Sequence, residues 1–281
     1  MKTSSILSTA FIVFLSLLPQ LADAQLPRER AVTNPPVDEI FWTTTNIGIS
    51  TVYNISPRNL NTSVAHIFGL INGGIEHFYG LDDGANTRLG LDYGLTDRFS
   101  MGIGRMTFNK VVDIRGKYNI LRQTTTGSTP IELGVKGSLG ISTLSGIGME
   151  LTDRLSYFTM LMLARKFDRL SVQLSPMMAY YNFVTEGKQN RLIGMGILTN
   201  YEISDRLALS AEYLPIIGNR NQGTSDEMAI ALNINTGGHV FQIFFSSSQW
   251  HNEQFIMANN HDRFWEGEVR FGFNINRVFG F

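Results

Sequence analysis

The sequence contains no cysteine among its 281 residues. This absence excludes disulfides, thiolate chemistry, Cys-ligated zinc and an acylated N-terminal cysteine. Charge is also scarce, because charged residues make up only 17% of the chain, where about 25% is usual for a soluble globular protein. The formal net charge of -1 gives no support for a nucleic-acid partner.

Long hydrophobic runs are missing too, apart from one short run at the N-terminus. Residues 6–18 follow Lys2 and precede the small-x-small triplet at 22–24, which predicts a signal peptide cleaved after Ala24. The run is too short to span a bilayer of about 30 Å as a helix. An uncleaved anchor is the alternative. No later stretch has the roughly 20 apolar residues of a transmembrane helix, so the mature chain is predicted to be either soluble outside the cytoplasm or a β-barrel.

What the chain does have is intermediate hydropathy and regular alternation. The mean hydropathy is -0.01, and glycine (27) and phenylalanine (19) are frequent. This composition fits amphipathic strands better than spanning helices. From Asn61 onward, apolar and polar residues alternate with a period of two, and turn residues interrupt the alternation at regular intervals.

The C-terminal segment shows the clearest alternation. One face of the predicted strand is apolar and aromatic, beginning at Trp265 and ending in phase at Phe281, while Glu266, Glu268 and Arg270 fall on the other face. Alternation alone does not separate a soluble β-sandwich from a membrane barrel. An aromatic C-terminal residue in phase with a final amphipathic strand resembles the signal read by the barrel-assembly machinery, which is therefore a predicted partner.

The count of such segments predicts an all-β fold, a closed antiparallel transmembrane β-barrel of about 12 strands. Closure is expected because an open strand edge in lipid leaves backbone groups unpaired, at several kcal/mol each. The predicted boundaries are a signal peptide at 1–24, a periplasmic N-terminal leader at 25–60 and a barrel domain at 61–281. The predicted strands before the last one lie at 61–69, 87–95, 98–108, 111–121, 130–142, 155–167, 170–183, 190–203, 206–217, 226–235 and 238–247. The predicted location is the outer membrane, with its lipid as the surrounding partner.

A known family resembles this sequence in the order and spacing of several motifs. They include the segment Gly80 to Arg98, Ala164-Arg165-Lys166-Phe167, Thr236 to Gln242 and Gly272 to Phe279. These motifs resemble an uncharacterised family of outer-membrane-type β-barrel proteins, a domain of unknown function from Bacteroidetes-like diderm bacteria. The resemblance covers roughly residues 40–281 and implies a barrel and an outer-membrane address, but no activity. The family tends to have arginine where this chain has Ile67.

Charged residues on the polar faces of the strands are the candidate functional residues. Both signs are interleaved, so the set fits either a selectivity lining for a narrow passive pore or transporter or a salt-bridged network that fills a non-conducting lumen. The predicted lumen-lining residues are Arg88, Asp92, Asp113, Arg115, Lys117, Glu132, Lys136, Glu212, Glu266, Glu268 and Arg270.

Catalytic and metal sites are weakly supported. His251, Glu253, His261 and Asp262 share one predicted loop, but their spacing matches no helix-presented ligand pair, so no metal or cofactor is predicted. A barrel esterase remains a third hypothesis, because Ser63 lies near His66 in sequence, although no G-x-S-x-G motif is present. The sequence names no solute and assigns no catalytic residue.

Overall fold

The structure, a computed structural model, describes residues 34–144 and 149–281. The predicted signal peptide at 1–24 lies outside these residues. Period-two alternation folds into strands of eight to fourteen residues throughout the described chain. The strands are β1 (Asn59–Leu70), β2 (Asn86–Gly94), β3 (Phe99–Met106), β4 (Val111–Leu121), β5 (Glu132–Ser142), β6 (Leu155–Phe167), β7 (Leu170–Tyr181), β8 (Arg191–Ser204), β9 (Leu207–Leu214), β10 (Glu227–Asn235), β11 (His239–Ser246) and β12 (Arg270–Gly280).

The strands form one closed antiparallel barrel. Each strand pairs with its neighbours in the chain, and β1 closes the sheet by pairing with β12, where Val64 lies opposite Ile275. Closure gives every strand two partners, so no edge is left open within the sheet. The predicted closed barrel of about 12 strands is therefore confirmed.

The outer surface of the barrel is apolar. In β2, Leu89, Leu91 and Tyr93 are exposed, whereas the intervening Asp92 is buried inside. The same alternation repeats around the barrel, so that many large apolar side chains point outward. A water-soluble monomer does not expose a continuous apolar band of this size, and such a band is what the hydrocarbon layer requires of a membrane barrel.

The connections divide the barrel into two unlike ends. The short-turn end carries the connections at 95–98, 122–131, 168–169, 205–206 and 236–238, and the long-loop end carries those at 71–85, 107–110, 143–154, 182–190, 215–226 and 247–269. Short 3-10 turns occupy Phe108–Lys110, Thr152–Arg154 and Phe264–Glu266, and the 3-10 segment Ile71–Gly80 is interrupted by non-helical backbone at Gly74, Phe78 and Tyr79. An α-helix, α1, spans Glu253–Asn259. Among the described residues, no helix has the length and apolar character needed to cross a membrane.

The last strand begins later than the sequence predicted. Residues 264–266 form a 3-10 turn that ends at Gly267, whose φ of 78° lies in the left-handed region. This conformation interrupts the extended backbone, so β12 begins only at Arg270. Glu266 and Glu268, predicted as lumen-lining residues, consequently belong to the loop that precedes β12.

The segment before β1, predicted as part of a periplasmic N-terminal leader at 25–60, lies partly inside the barrel. β1 begins at Asn59, two residues before the predicted domain boundary, and residues 40–55 lie inside the barrel. Residues on either side are attached to the short-turn end, because the backbone N–H of Val37 donates to Gln123 O and that of Arg58 donates to Gly94 O. The chain therefore enters the lumen, turns and returns before it starts the wall.

Candidate functional site

The N-terminal plug, residues 40–55, is a hairpin inside the lumen. Thr45 pairs with Ser50 in an antiparallel bridge, and the N–H of Asn46 donates to Ile49 O at 2.8 Å to close the turn. Apolar side chains of the hairpin are buried inside the barrel, and this removal of apolar surface from water is favourable. The buried apolar residues are Ile40, Phe41, Ile47, Ile49, Val52 and Ile55.

The loop plug, residues 247–263, enters the lumen from the long-loop end. Its helix α1 buries Ile256 and Met257 against the inside of the wall. The indole N–H of Trp250 donates to Asn259 O at 3.1 Å, which ties the start of the loop to the end of α1. His251 Nε2 lies 2.8 Å from Asn86 O on the barrel wall. The loop is therefore fastened both to itself and to the wall.

The two plugs meet around one buried ion pair. Lys136 Nζ, from β5, lies 2.8 Å from both carboxylate oxygens of Glu253 and 2.7 Å from Ser50 Oγ. These three acceptors use all three hydrogens of the ammonium group. The backbone N–H of Ser50 donates to the same Glu253 carboxylate at 2.9 Å. Wall, N-terminal plug and loop plug thus share one junction.

A second buried carboxylate holds the tip of the N-terminal plug. Glu212, on β9, accepts the backbone N–H groups of Ile47 at 3.0 Å and Gly48 at 2.6 Å, and Ile49 N lies at 3.4 Å. Asn46 Nδ2 donates to the same carboxylate at 3.3 Å. Successive N–H groups that converge on one anion form a concave binding arrangement. Glu212 therefore fixes the hairpin mainly through its backbone N–H groups.

The charged sector of the wall lies on β2 to β5, and most of its charges are paired. Arg88 contacts both oxygens of Asp113 at 2.5 and 2.9 Å. Arg115 bridges Asp113 at 3.0 Å and Asp92 at 2.7 Å. Lys117 Nζ donates instead to carbonyl oxygens of the N-terminal plug, Thr51 O at 3.1 Å and Tyr53 O. Pairing offsets the cost of removing these charges from water.

The other predicted lumen residues have simpler surroundings. Glu132 is buried near the short-turn end and accepts from Asn119 Nδ2 at 2.6 Å. Arg270 pairs with Asp262 of the loop plug at 2.5 Å. The structure therefore places nine of the eleven predicted residues inside the barrel, while Glu266 and Glu268 lie in the loop before β12.

The apolar sector of the wall lies on β6 to β8, where much of the inward face is also hydrophobic. Side chains of this face pack against Phe41, Ile49 and Val52 of the N-terminal plug and against Ile256 and Met257 of α1. The inward residues that form it are Phe158, Met160, Met162, Met177, Ala179, Leu192 and Leu198. A water-filled barrel normally presents a polar interior, so this sector depends on the plugs for cover.

The amide sector is a row of uncharged side chains on β8 to β12. Asn233 Nδ2 donates to Asn200 Oδ1 at 3.0 Å, and Gln242 Nε2 donates to Asn233 Oδ1 at 2.9 Å. Asn274 Nδ2 continues the row by donating to Gln242 Oε1 at 3.0 Å and to Ile47 O at 3.1 Å. Amides both donate and accept, so this sector holds the plug by neutral hydrogen bonds.

The four residues considered for a metal site do not converge. His251 and Glu253 contact Asn86 and Lys136, as described, while His261 Nδ1 lies 3.0 Å from Gly223 O and Asp262 pairs with Arg270. Burial lowers the pKa of His251 to about 3. Burial alone would raise the pKa of Glu253, but Lys136 outweighs it and holds that pKa below the usual value. In the described ranges, no group of three or more acidic or histidine side chains is arranged to hold a metal ion.

The serine and histidine of the esterase hypothesis face opposite sides of the wall. Ser63 points into the lumen beside Arg88, whereas the ring of His66 stacks on Phe273 at 5.2 Å between centroids. His66 Nδ1 instead lies 2.9 Å from Thr87 Oγ1. Residues three apart on a strand project to opposite faces, so Ser63 and His66 do not form a catalytic pair.

The fold and the apolar outer band define a membrane-embedded β-barrel, and comparison with known proteins agrees. Residues 41–279 match the family described as a membrane-bound β-barrel domain (DUF5777), and the chain belongs to this family. The matched region includes the N-terminal plug from Phe41 onward. No curated protein matches the sequence.

Among solved structures, outer-membrane barrels are similar in fold. The NanC porin is 11% identical with a TM-score of 0.52, and the match covers 78% of this chain and 98% of that one. The COG4313 outer membrane channel from Pseudomonas putida F1 is 13% identical over 81% of this chain and 97% of its own, with a TM-score of 0.49. The likeness to the NanC porin supports the barrel fold.

Proposed function

We propose that this protein is an outer-membrane barrel that is closed at rest and does not act as a passive pore. Of the functions left open by the sequence, the non-conducting barrel agrees best with the geometry. The N-terminal plug fills the lumen from one end and the loop plug fills it from the other, and the Lys136–Glu253 junction joins them.

The observation that carries this proposal is the apolar sector of the lumen wall. Met160, Met162, Leu192 and Leu198 point inward and are almost completely buried by the plugs. An open channel would expose each of them to water, at about 1.5–3 kcal/mol for each large side chain. In a permanent aqueous pore this apolar wall would be destabilising, whereas in a filled barrel it forms part of a hydrophobic core.

Planar-bilayer conductance tests the proposal directly. The mature full chain is expected to give no steady ion current at physiological salt. A stable open current from the unmodified protein would overturn the proposal. Because the native chain has no cysteine, single-cysteine variants provide a second readout with a membrane-impermeant maleimide. Ile49→Cys should resist labelling in the folded protein, and Thr125→Cys, exposed at the short-turn end, is the matched control that should label fully.

A gated passage is the second candidate function, and the anchored entrance of the plug offers a direct way to test it. Pro36 and Thr124 form an isolated bridge between the entering chain and the β4–β5 turn, so a Pro36→Cys/Thr124→Cys pair would tether the plug at the rim. If the protein is gated, current evoked by an applied potential should appear in the reduced pair and vanish on oxidation. Equal behaviour of the reduced and oxidised forms would argue against movement of this entrance.

A further inference from the structure

A cavity of about 310 Å³ opens at the short-turn end, between the N-terminal plug and the wall at β1, β12 and the β10–β11 turn. It is distinct from the tightly packed charged sector and from the junction of the two plugs. Its lining residues include Glu39, Trp42, Tyr53, Asn61, Asn235 and Asn276. Its volume lies within the roughly 300–1,000 Å³ typical of small-molecule pockets.

The polar part of the lining consists mainly of amides and hydroxyl groups. Asn61, Asn235 and Asn276 come from three different strands, and Thr43 and Thr44 face them from the plug. An amide has two donor hydrogens and an acceptor oxygen, and a hydroxyl can both donate and accept. Within the protein, Asn235 Oδ1 already accepts from the N–H of Gly237, and Thr43 Oγ1 donates to Thr45 O. Such a set complements a ligand whose own groups also both donate and accept, which is the chemistry of a sugar hydroxyl.

Asn61 gives an independent indication that a ligand group belongs here. Its side chain is only 2% exposed, yet its Nδ2 has no hydrogen-bond partner among residues 34–144 and 149–281. A buried donor without a partner costs about 1–3 kcal/mol, and native proteins satisfy nearly all such groups. The Nδ2 atom is itself covered in this structure, so a rotation of the Asn61 side chain would bring it to a hydroxyl oxygen bound in the cavity.

The aromatic and charged residues of the cavity lining determine which polar ligands are favoured. Trp42 and Tyr53 add aromatic surface, which packs against the apolar C–H face of a sugar ring while polar groups fix its orientation. Glu39 is the single carboxylate among the lining residues, and no lysine or arginine accompanies it. An anionic ligand would therefore be repelled, because like charges in a partly enclosed site are costly.

We propose that this cavity binds a neutral saccharide of one or two sugar rings. Residues of the N-terminal plug and residues of the barrel wall both line this cavity. The proposal therefore rests on the proposed function, in which the plug stays inside the lumen. The two claims are tested separately: conductance measures closure of the lumen, while calorimetry measures ligand binding. A closed barrel that binds no sugar would remove this proposal alone.

The experiment is isothermal titration calorimetry on the full mature chain in a detergent that carries no sugar headgroup. The probes are cellobiose, glucose, glucuronic acid and choline. We expect saturable heat with cellobiose and a weaker response with glucose, and glucuronic acid should bind less than glucose although it differs only in its carboxylate. Asn61→Ala and Trp42→Ala should each weaken cellobiose binding about fivefold or more, as expected for a hydrogen bond or ring contact worth about 1 kcal/mol.

Matched variants keep the test specific. Trp265→Phe and Asn182→Ala change an exposed tryptophan and an exposed asparagine at the long-loop end and should leave cellobiose binding unchanged. Trp42→Phe, which preserves an aromatic face, should retain most of the affinity if Trp42→Ala misfolds. The proposal is overturned if neither neutral sugar binds, if binding survives both cavity variants, or if choline alone binds in a manner that Glu39→Gln abolishes.

Discussion

Replacing Lys136 with methionine should destabilise the protein strongly, because it leaves the buried carboxylate of Glu253 without its cationic partner. Glu253 is only 2% exposed at its side chain, and the nearest cation is the Lys136 ammonium at 2.8 Å. Lys136→Met removes that charge and preserves much of the side-chain volume. Breaking a buried pair by removing one partner typically costs about 3–5 kcal/mol, which is the loss we expect in the free energy of unfolding.

A second substitution should recover most of this loss. In Lys136→Met/Glu253→Gln no charge remains, and the amide oxygen of glutamine still accepts the N–H of Ser50, which donates to Glu253 at 2.9 Å in the native protein. The double variant should therefore lose only about 1 kcal/mol, the net value of an ordinary hydrogen bond. The resulting coupling of about 2 kcal/mol or more would show that charge, rather than shape, governs the junction.

Equilibrium unfolding by guanidinium chloride in detergent micelles measures these differences. Tryptophan fluorescence is a suitable signal, because Trp250 is buried in the loop plug and stacks on Phe255 at 5.7 Å between ring centroids. Arg263→Met is the matched control. Its partner Glu266 lies at 2.7 Å, but both side chains are more than half exposed, so the free energy of unfolding should stay unchanged.

The pH dependence of the single variant gives an additional check. In the native protein the pKa of Glu253 is lowered, so its contribution is present above the ordinary value of 4.5 and is lost as the pH falls through the folded value. In Lys136→Met the deficit should instead shrink as the pH falls, because protonation removes the stranded charge. A Lys136→Met variant of native stability, or a double variant as unstable as the sum of both single changes, would refute the reasoning.

Three further outcomes are expected from other parts of the barrel. Glu212→Gln should lower the free energy of unfolding by about 1.5–3 kcal/mol, the value of hydrogen bonds to a charged group, because an amide cannot replace a carboxylate that accepts several plug N–H groups. His251 has a folded pKa lowered to about 3, so stability should fall as the pH drops from about 6.5 towards 3, and His251→Asn should flatten this slope in a pH series of unfolding curves. Ile243→Arg, on the outer face of β11, should cost about 2–4 kcal/mol in lipid vesicles, while Ile203→Arg near the short-turn end should cost no more than about 1 kcal/mol.

The wall of the barrel was predictable because its rule is local. Period-two alternation, turn residues and the requirement for closure act within a few residues of each strand, and the predicted segments at 87–95 and 111–121 agree with β2 and β4 to within one residue. The start of β12 was missed for a similarly local reason. Alternation continues through residues 265–269 in the sequence, but the left-handed conformation of Gly267 breaks the strand.

The partners of the lumen charges were not predictable, because their pairing is not local. Lys136 points inward in the structure, but its partner Glu253 is 117 residues away in the sequence and comes from a loop that folds back into the barrel. Likewise, the acceptor role of Glu212 depends on backbone N–H groups at 47–49, which leave no trace in residue type. Alternation identifies which face a side chain occupies, but it does not identify what lies opposite across a lumen.

The plugs did leave one signal in the sequence, in the strands that alternate least strictly. Along β6 the inward residues Phe158, Met160 and Met162 are as apolar as the outward residues Leu161 and Leu163. A strand between lipid and water should be polar on its inner face, whereas a strand apolar on both faces must be covered on both, as in the buried strands of soluble proteins. Weak alternation over three consecutive strands, β6 to β8, is therefore an indication of a barrel with its own hydrophobic core, and in this chain residues 40–55 and helix α1 provide the cover.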